Sequence, residues 1–166
     1  MCCYNTEGTP ATARAVEPRR SPAMTLLFPW ATPYTGGLLV HLAAEAARNV
    51  SVPIAVHLDH AQDPETVKRA ADIGGFDSIM IDMSHYEKVE NLQLTKELTA
   101  YRHEGGIAAE AEPGRIEGRE DGVSDTADLE GLLTTPKEAR EFVDCGIDWL
   151  APAFGNVHGS CGPRGI

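Results

Sequence analysis

The ionisable side chains of this sequence gather at the downstream ends of short apolar runs, and that placement sets the chemistry open to them. His57, Asp59 and His60 end one run, Asp82, Ser84 and His85 the next, Glu110 and Glu112 a third, and His158 follows the last. Imidazole nitrogens and carboxylate oxygens form the ligand set of zinc, and a histidine beside a carboxylate is equally the working unit of general acid–base catalysis. In Ile107 to Glu112 the two-residue alternation of a strand sends Ala108, Glu110 and Glu112 to one side. Two carboxylates sharing one space raise the pKa of one of them unless a cation intervenes, so this strand end implies a metal, a general acid, or only a solvated terminus. His60 follows Asp59 directly, where alternation breaks down and both side chains can enter one space. For His60 and His158 the pairing with carboxylates favours a metal. His41 and His103, on predicted helices, read as ordinary hydrogen-bonded histidines, and His57 and His85 fit either role.

Those groups meet only if the runs that carry them lie side by side. Met24 to Phe28, Ile54 to Leu58, Ser78 to Met83, Ile107 to Ala111 and Trp149 to Phe154 are short and mostly apolar, the pattern of strands buried on both faces. Helical segments separate them. Asp63-Pro64 and Thr135-Pro136 each supply a cap and a first-turn proline, and Gly74-Gly75, Gly105-Gly106 and Gly146 supply stops. The spacing predicts apolar stripes of Leu38, Leu42 and Ala46, of Val67, Ala70 and Ala71, of Leu94, Leu98 and Tyr101, and of Ala139, Phe142 and Val143. Repeated βα units imply an α/β fold with a parallel sheet, and in a barrel the carboxyl ends of all strands converge on one mouth. The prediction is a partial TIM (β/α)8 barrel with about five of its eight strands, because a complete barrel takes about 250 residues. The alternative, an open doubly wound sheet, lacks its signature: no GxGxxG or GxxxxGK[ST] follows any run.

At 166 residues with a hydrophobic share of 42%, the chain can build one core. Residues 1–20 contain no continuous apolar stretch and read as a disordered leader, neither a secretory signal nor a membrane span, which leaves 21–166 as the barrel segment. The 25 acidic against 14 basic side chains give a net charge of -11, which repels nucleic acid and anionic membrane. A phosphorylated small molecule stays compatible, since a metal ion and a few backbone N–H groups outweigh a distant negative surface. Cys2, Cys3, Cys145 and Cys161 form no CxxC pair, so reduced thiols and a cytoplasmic setting are expected. Gly114 to Gly131 is polar and aperiodic and reads as a mobile loop over the mouth, with Glu120 either a catalytic acid delivered by loop closure or one solvated charge among several.

Four stretches taken in order resemble the class II, zinc-dependent fructose- and tagatose-bisphosphate aldolases: VPIAVHLDHA (Val52 to Ala61), FDSIMIDMSH (Phe76 to His85), EAEPGRIEGREDG (Glu110 to Gly122) and APAFGNVHGSCGPRG (Ala151 to Gly165). The resemblance implies a lyase that splits fructose 1,6-bisphosphate into dihydroxyacetone phosphate and glyceraldehyde 3-phosphate. It further implies that His60 and His158 are two of three zinc-holding histidines and that Asp59 is the acid–base group at the C4 hydroxyl. Glu112 and Asp82 would line an alternative or second metal position, and Glu120 would move a proton on the three-carbon half of the substrate. Gly155, Val157 and Gly159 would offer backbone groups to a monovalent cation, Na+ or K+, and to a substrate phosphate. Relatives are commonly dimers, so a homodimer is expected of the full-length protein. Departures are legible too: Pro113 stands where many relatives have Leu, and Phe28 where they have a substrate-contacting Ser. The family's first strand has no evident counterpart before Ser21, and its third zinc histidine is not found up to Ile166. The expectation is a chain truncated at both ends, weakly active or else a non-catalytic metal-binding or oligomerising remnant.

Overall fold

One parallel sheet organises the structure, a computed structural model described over residues 1–118 and 131–159. Strands β1 (Ala23–Leu27), β2 (Ile54–Ala61), β3 (Ser78–Ile81), β4 (Ala108–Ala111) and β6 (Trp149–Leu150) lie in the order β1-β2-β3-β4-β6. Every neighbouring pair is parallel, as successive βα units of a barrel wall require, so the expected partial barrel is what forms. The helices that return the chain are α2 (Ala31–Thr35) and α3 (Leu38–Arg48), then α4 (Pro64–Ile73), α5 (Lys88–Glu104) and α6 (Pro136–Asp144). Two short strands, β5 (Glu117–Gly118) and β7 (Val157–His158), pair in a separate ribbon. No helix among the described residues is long and apolar enough to cross a membrane.

The predicted punctuation acts as expected. Asp63 accepts the Thr66 N–H at 2.8 Å ahead of Pro64, and Thr135 and Glu138 form a reciprocal capping box ahead of the last helix. A second device recurs at the amino ends of β3 and β6. The Asp77 carboxylate accepts the Val56 N–H and the Asp148 carboxylate accepts the Ala109 N–H, each at 2.7 Å, while each aspartate's own N–H donates back to the same residue. These clasps set the register of each strand against its neighbour. Behind them Leu27, Leu58, Ile79, Ile81 and Met83 are fully buried, each contributing roughly 1.5–3 kcal/mol of burial.

Residues 1–20 are not a disordered leader. Residues 1–3 lie along β1, with Leu26 N–H donating to Met1 O and Cys3 N–H to Leu26 O, both at 2.9 Å, in a parallel bridge centred on Cys2 and Leu26. Helix α1 (Gly8–Arg19) follows, and Glu17 ties it down by accepting the Ser51 N–H at 2.8 Å and its hydroxyl at 2.7 Å. The face it buries is Thr9, Thr12, Ala13 and Val16, too small and too polar to register as an apolar period.

Three helix faces differ from expectation. Helix α3 buries Leu39, Val40, Ala43 and Ala44 and leaves Leu38 65% exposed, because eight apolar residues on one short helix state a period but not its phase. Helix α5 buries Leu98 as predicted, yet its other buried residues are Asn91, Thr95, Thr99 and Arg102, while Tyr101 turns outward to bond Asp72. On α6 only Phe142 is buried. The last predicted run leaves the sheet after the Ala151 N–H, and Ala153 beyond it is taken by Thr134 through two hydrogen bonds of 2.8 and 2.9 Å.

Candidate metal centre

The site begins with a break in β2. Leu58 pairs with Ile79 but Ala61 with Ile81, and within that irregularity His60 takes a left-handed φ of 48°, which non-glycine residues seldom adopt. Consecutive side chains therefore meet, with His60 Nε2 3.9 Å from Asp59 Oδ1. His60 Nδ1 lies 2.9 Å from Oδ2 of the buried Asp82, whose other oxygen accepts the Ser84 N–H at 3.1 Å. A carboxylate at Nδ1 orients the ring and leaves Nε2 as the nitrogen offered to an ion.

Glu112 stands just past β4. Its Oε1 accepts the Ile116 N–H at 2.6 Å, and its Oε2 is buried with no hydrogen-bond partner. His158 arrives on β7, opposite Gly118 of β5. A side chain at position 118, where φ is +113°, would run into the His158 carbonyl, so glycine there lets the ribbon close. The His158 ring sits edge-on to His60 at 5.0 Å between centroids. One ligand atom each from His60, Glu112 and His158 falls within 4.8 Å of the others. Zinc bonds of about 2.0–2.2 Å need such a set to contract only modestly, and an orphaned buried carboxylate oxygen is the donor a cation would satisfy. The residues present fit a divalent metal.

The electrostatics agree. Burial opposes a charge on His60, but the Asp82 carboxylate, helped by Asp59 and Glu112, outweighs it and lifts the pKa to about 9. Burial and then the Asp82 charge push Glu112 upward, whereas the bond to His60 overcomes burial at Asp82 and holds it down. Burial thus leaves Glu112 favouring its proton beside the ionised Asp82 and the His60 imidazolium, and a dication that took the place of those protons would satisfy the same carboxylates and ring nitrogens.

A second histidine lies deeper. His57 Nδ1 is 2.8 Å from Ser78 Oγ, and its Nε2 is 3.5 Å from Glu110 Oε2 and 4.0 Å from Asp59 Oδ1. Burial first, then the charges of His60 and Arg102, lower its pKa to about 4. An unfolded histidine titrates near 6.5, so between that pH and 4 the unfolded chain binds a proton that the folded one refuses. Stability should fall by roughly 3 kcal/mol across that window. Urea unfolding of the protein and of His57→Gln from pH 7 to 4 checks this, with a shallower acid limb expected for the variant; parallel limbs would refute it.

The structure brings together His60, Glu112 and His158, with Asp59 beside them and Asp82 behind His60 rather than among the nearest ligand atoms. Gly155, Val157 and Gly159 flank His158, the two glycines at φ of 106° and 121°. Glu120 and the loop segment 119–130 lie outside the described residues, and His103 is a surface partner of Asp148 at 2.9 Å. Sequence reasoning missed Ser78 as the anchor of His57 and Asn91, which donates to the Glu112 carbonyl at 3.0 Å. The one available signal for Asn91 was a polar residue in the first turn of an otherwise ordinary helix.

Comparison with known proteins supports the same reading. A protein of Coccidioides immitis (strain RS), provisionally named fructose-bisphosphate aldolase, is 65% identical over 173 aligned residues, covering 100% of this chain and 57% of its own length. The fructose-bisphosphate aldolase of Geobacillus stearothermophilus is 40% identical, over 93% of this chain and 54% of its own. A Coccidioides immitis crystal structure, with a provisional fructose-1,6-bisphosphate aldolase assignment, superposes with a TM-score of 0.94 at 68% identity, over 99% of this chain and 58% of that one. The chain thus spans little more than half the length of these relatives. The profile of the family described as fructose-bisphosphate aldolase class-II matches residues 1–165, and on that match this chain belongs to the class II fructose-bisphosphate aldolases.

Proposed function

We propose that this chain carries the metal-binding and acid–base part of a zinc-dependent aldolase that cleaves and forms a ketose bisphosphate, fructose 1,6-bisphosphate giving dihydroxyacetone phosphate and glyceraldehyde 3-phosphate. The observation that carries the reading is the convergence of His60, Glu112 and His158 at one point beside Asp59, with Glu112 Oε2 buried and unpartnered. His60, Glu112 and His158 would hold the zinc, and Asp82 keeps the His60 ring turned towards it. A zinc ion bound there supplies Lewis-acid polarisation of the ketose carbonyl. Asp59 takes the proton of the C4 hydroxyl as the C3–C4 bond breaks and returns it in the condensation direction. His57, neutral and fixed by Ser78, stands between Asp59 and Glu110 with its Nε2 facing both carboxylates. Glu120 would exchange the proton on the three-carbon half. Backbone groups at Gly155, Val157 and Gly159 would serve a monovalent cation, Na+ or K+, and a substrate phosphate. Asp82 would also border a second metal position.

The partners that fit are phosphosugars, not nucleic acid or membrane, with a homodimer as the assembled state of the full-length protein and the cytoplasm as its compartment. A second reading, a non-catalytic metal-binding or oligomerising remnant, draws on the exposed Trp149, Phe154 and Leu133 around β6, which pairs on one side only among the described residues. Zinc titration combined with cleavage of fructose 1,6-bisphosphate, with and without chelator, separates the two. Chelator-sensitive cleavage is the expected result; tight zinc without turnover selects the metal-binding remnant, and no zinc at all overturns the aldolase reading and leaves only the oligomerising one.

A further inference from the structure

Helix α5 buries a polar face where the sequence pattern calls for an apolar one, and that face ends at the metal centre. The β4 ladder closes at Ala111, whose carbonyl accepts the Ala151 N–H at 2.9 Å, and Pro113 has no N–H to continue it. Glu112 lies just past the end of β4 and is only 2% exposed, where an unpaired carbonyl is costly. Asn91, also 2% exposed, donates its Nδ2–H to that carbonyl at 3.0 Å. Its Oδ1 accepts the hydroxyl of the fully buried Thr95 at 3.1 Å, which fixes which way round the amide stands. Glu112 is therefore gripped at its main chain by α5 and at Oε1 by Ile116, while its buried Oε2 has no hydrogen-bond partner and its carboxylate converges with His60 and His158. Because Glu112 precedes a proline, few backbone torsions are open to it, and the direction of its carbonyl constrains the direction of its side chain.

We infer that Asn91, braced by Thr95, is a positioning residue for the metal centre: it anchors the main chain at Glu112 so that the carboxylate meets the two histidines. The inference rests on the reading of His60, Glu112 and His158 as a divalent-metal site. Outer-shell partners of metal ligands are worth roughly 10–100-fold in metal affinity. The test compares the protein with Asn91→Leu, which keeps the volume and removes the donor, and with Asn91→Asp, which keeps shape and polarity but offers the carbonyl no hydrogen. Zinc affinity is read by chelator competition, and the site geometry by the visible absorption of bound Co(II). Both variants should bind zinc roughly 10–100-fold more weakly, show altered cobalt bands, and lose part of the metal-induced rise in melting temperature. If either folds and lowers only the metal-free melting temperature, leaving the zinc constant and cobalt spectrum unchanged, Asn91 merely packs a helix and the inference is overturned. A parent protein that binds no zinc would instead sink the metal-site reading itself.

Discussion

Replacing His60 with alanine is expected to abolish measurable zinc binding, a loss well beyond the ~100-fold that outer-shell changes produce. His60 occupies a position no other described residue duplicates: Nδ1 is taken by Asp82 and the ring lies against His158. Alanine removes one of three converging donors and strands Asp82, a carboxylate 2% exposed whose ionised state depends on that imidazole. Breaking a buried pair by deleting one partner costs roughly 3–5 kcal/mol, so the variant should also unfold at lower urea concentration. His60→Ala together with Asp82→Asn should recover part of the stability and none of the zinc. Chelator competition and urea melts on the two variants decide the matter; zinc bound by His60→Ala as tightly as by the parent would remove this histidine from the centre.

Asp59→Ala should behave in the opposite way, keeping zinc and losing turnover. Asp59 is not among the three converging ligand atoms, but its Oδ1 stands 3.9 Å from His60 Nε2 and 4.0 Å from His57 Nε2. A carboxylate in that position is beside the ion without being required to bind it, which suits a group that moves a proton. General acid–base groups contribute roughly 10²–10⁴-fold to rate, and cleavage of fructose 1,6-bisphosphate should fall by that factor while the zinc constant changes little. Cleavage at the parent rate by Asp59→Ala would end the acid–base assignment, and loss of zinc would make Asp59 a ligand instead.

Much of this was legible in the residues alone. Asp63-Pro64 and Thr135-Pro136 specify helix starts through local hydrogen bonds, which depend on nothing distant, and both caps form. Clustering of acids and histidines at strand ends likewise predicts a shared mouth, because any parallel barrel gathers those ends. Where a helix turns its face was not legible: α3 is apolar over more than half its circumference, and α5 presents an asparagine and two threonines inward.

Local chemistry therefore determined the five runs that pair in the sheet, where α4 and α6 begin, and which residue types could bind a metal or carry a proton, but not α1, whose buried face is too small and polar to show a period. Tertiary structure decided how those residues meet. The left-handed turn at His60, the Asp82 carboxylate behind it, the glycine that lets β5 reach His158 and the Asn91 bond to Glu112 each join positions distant in the chain or break the strand's own alternation. No period along the sequence encodes such contacts, because their energy exists only once the strands are side by side and water has been excluded from between them.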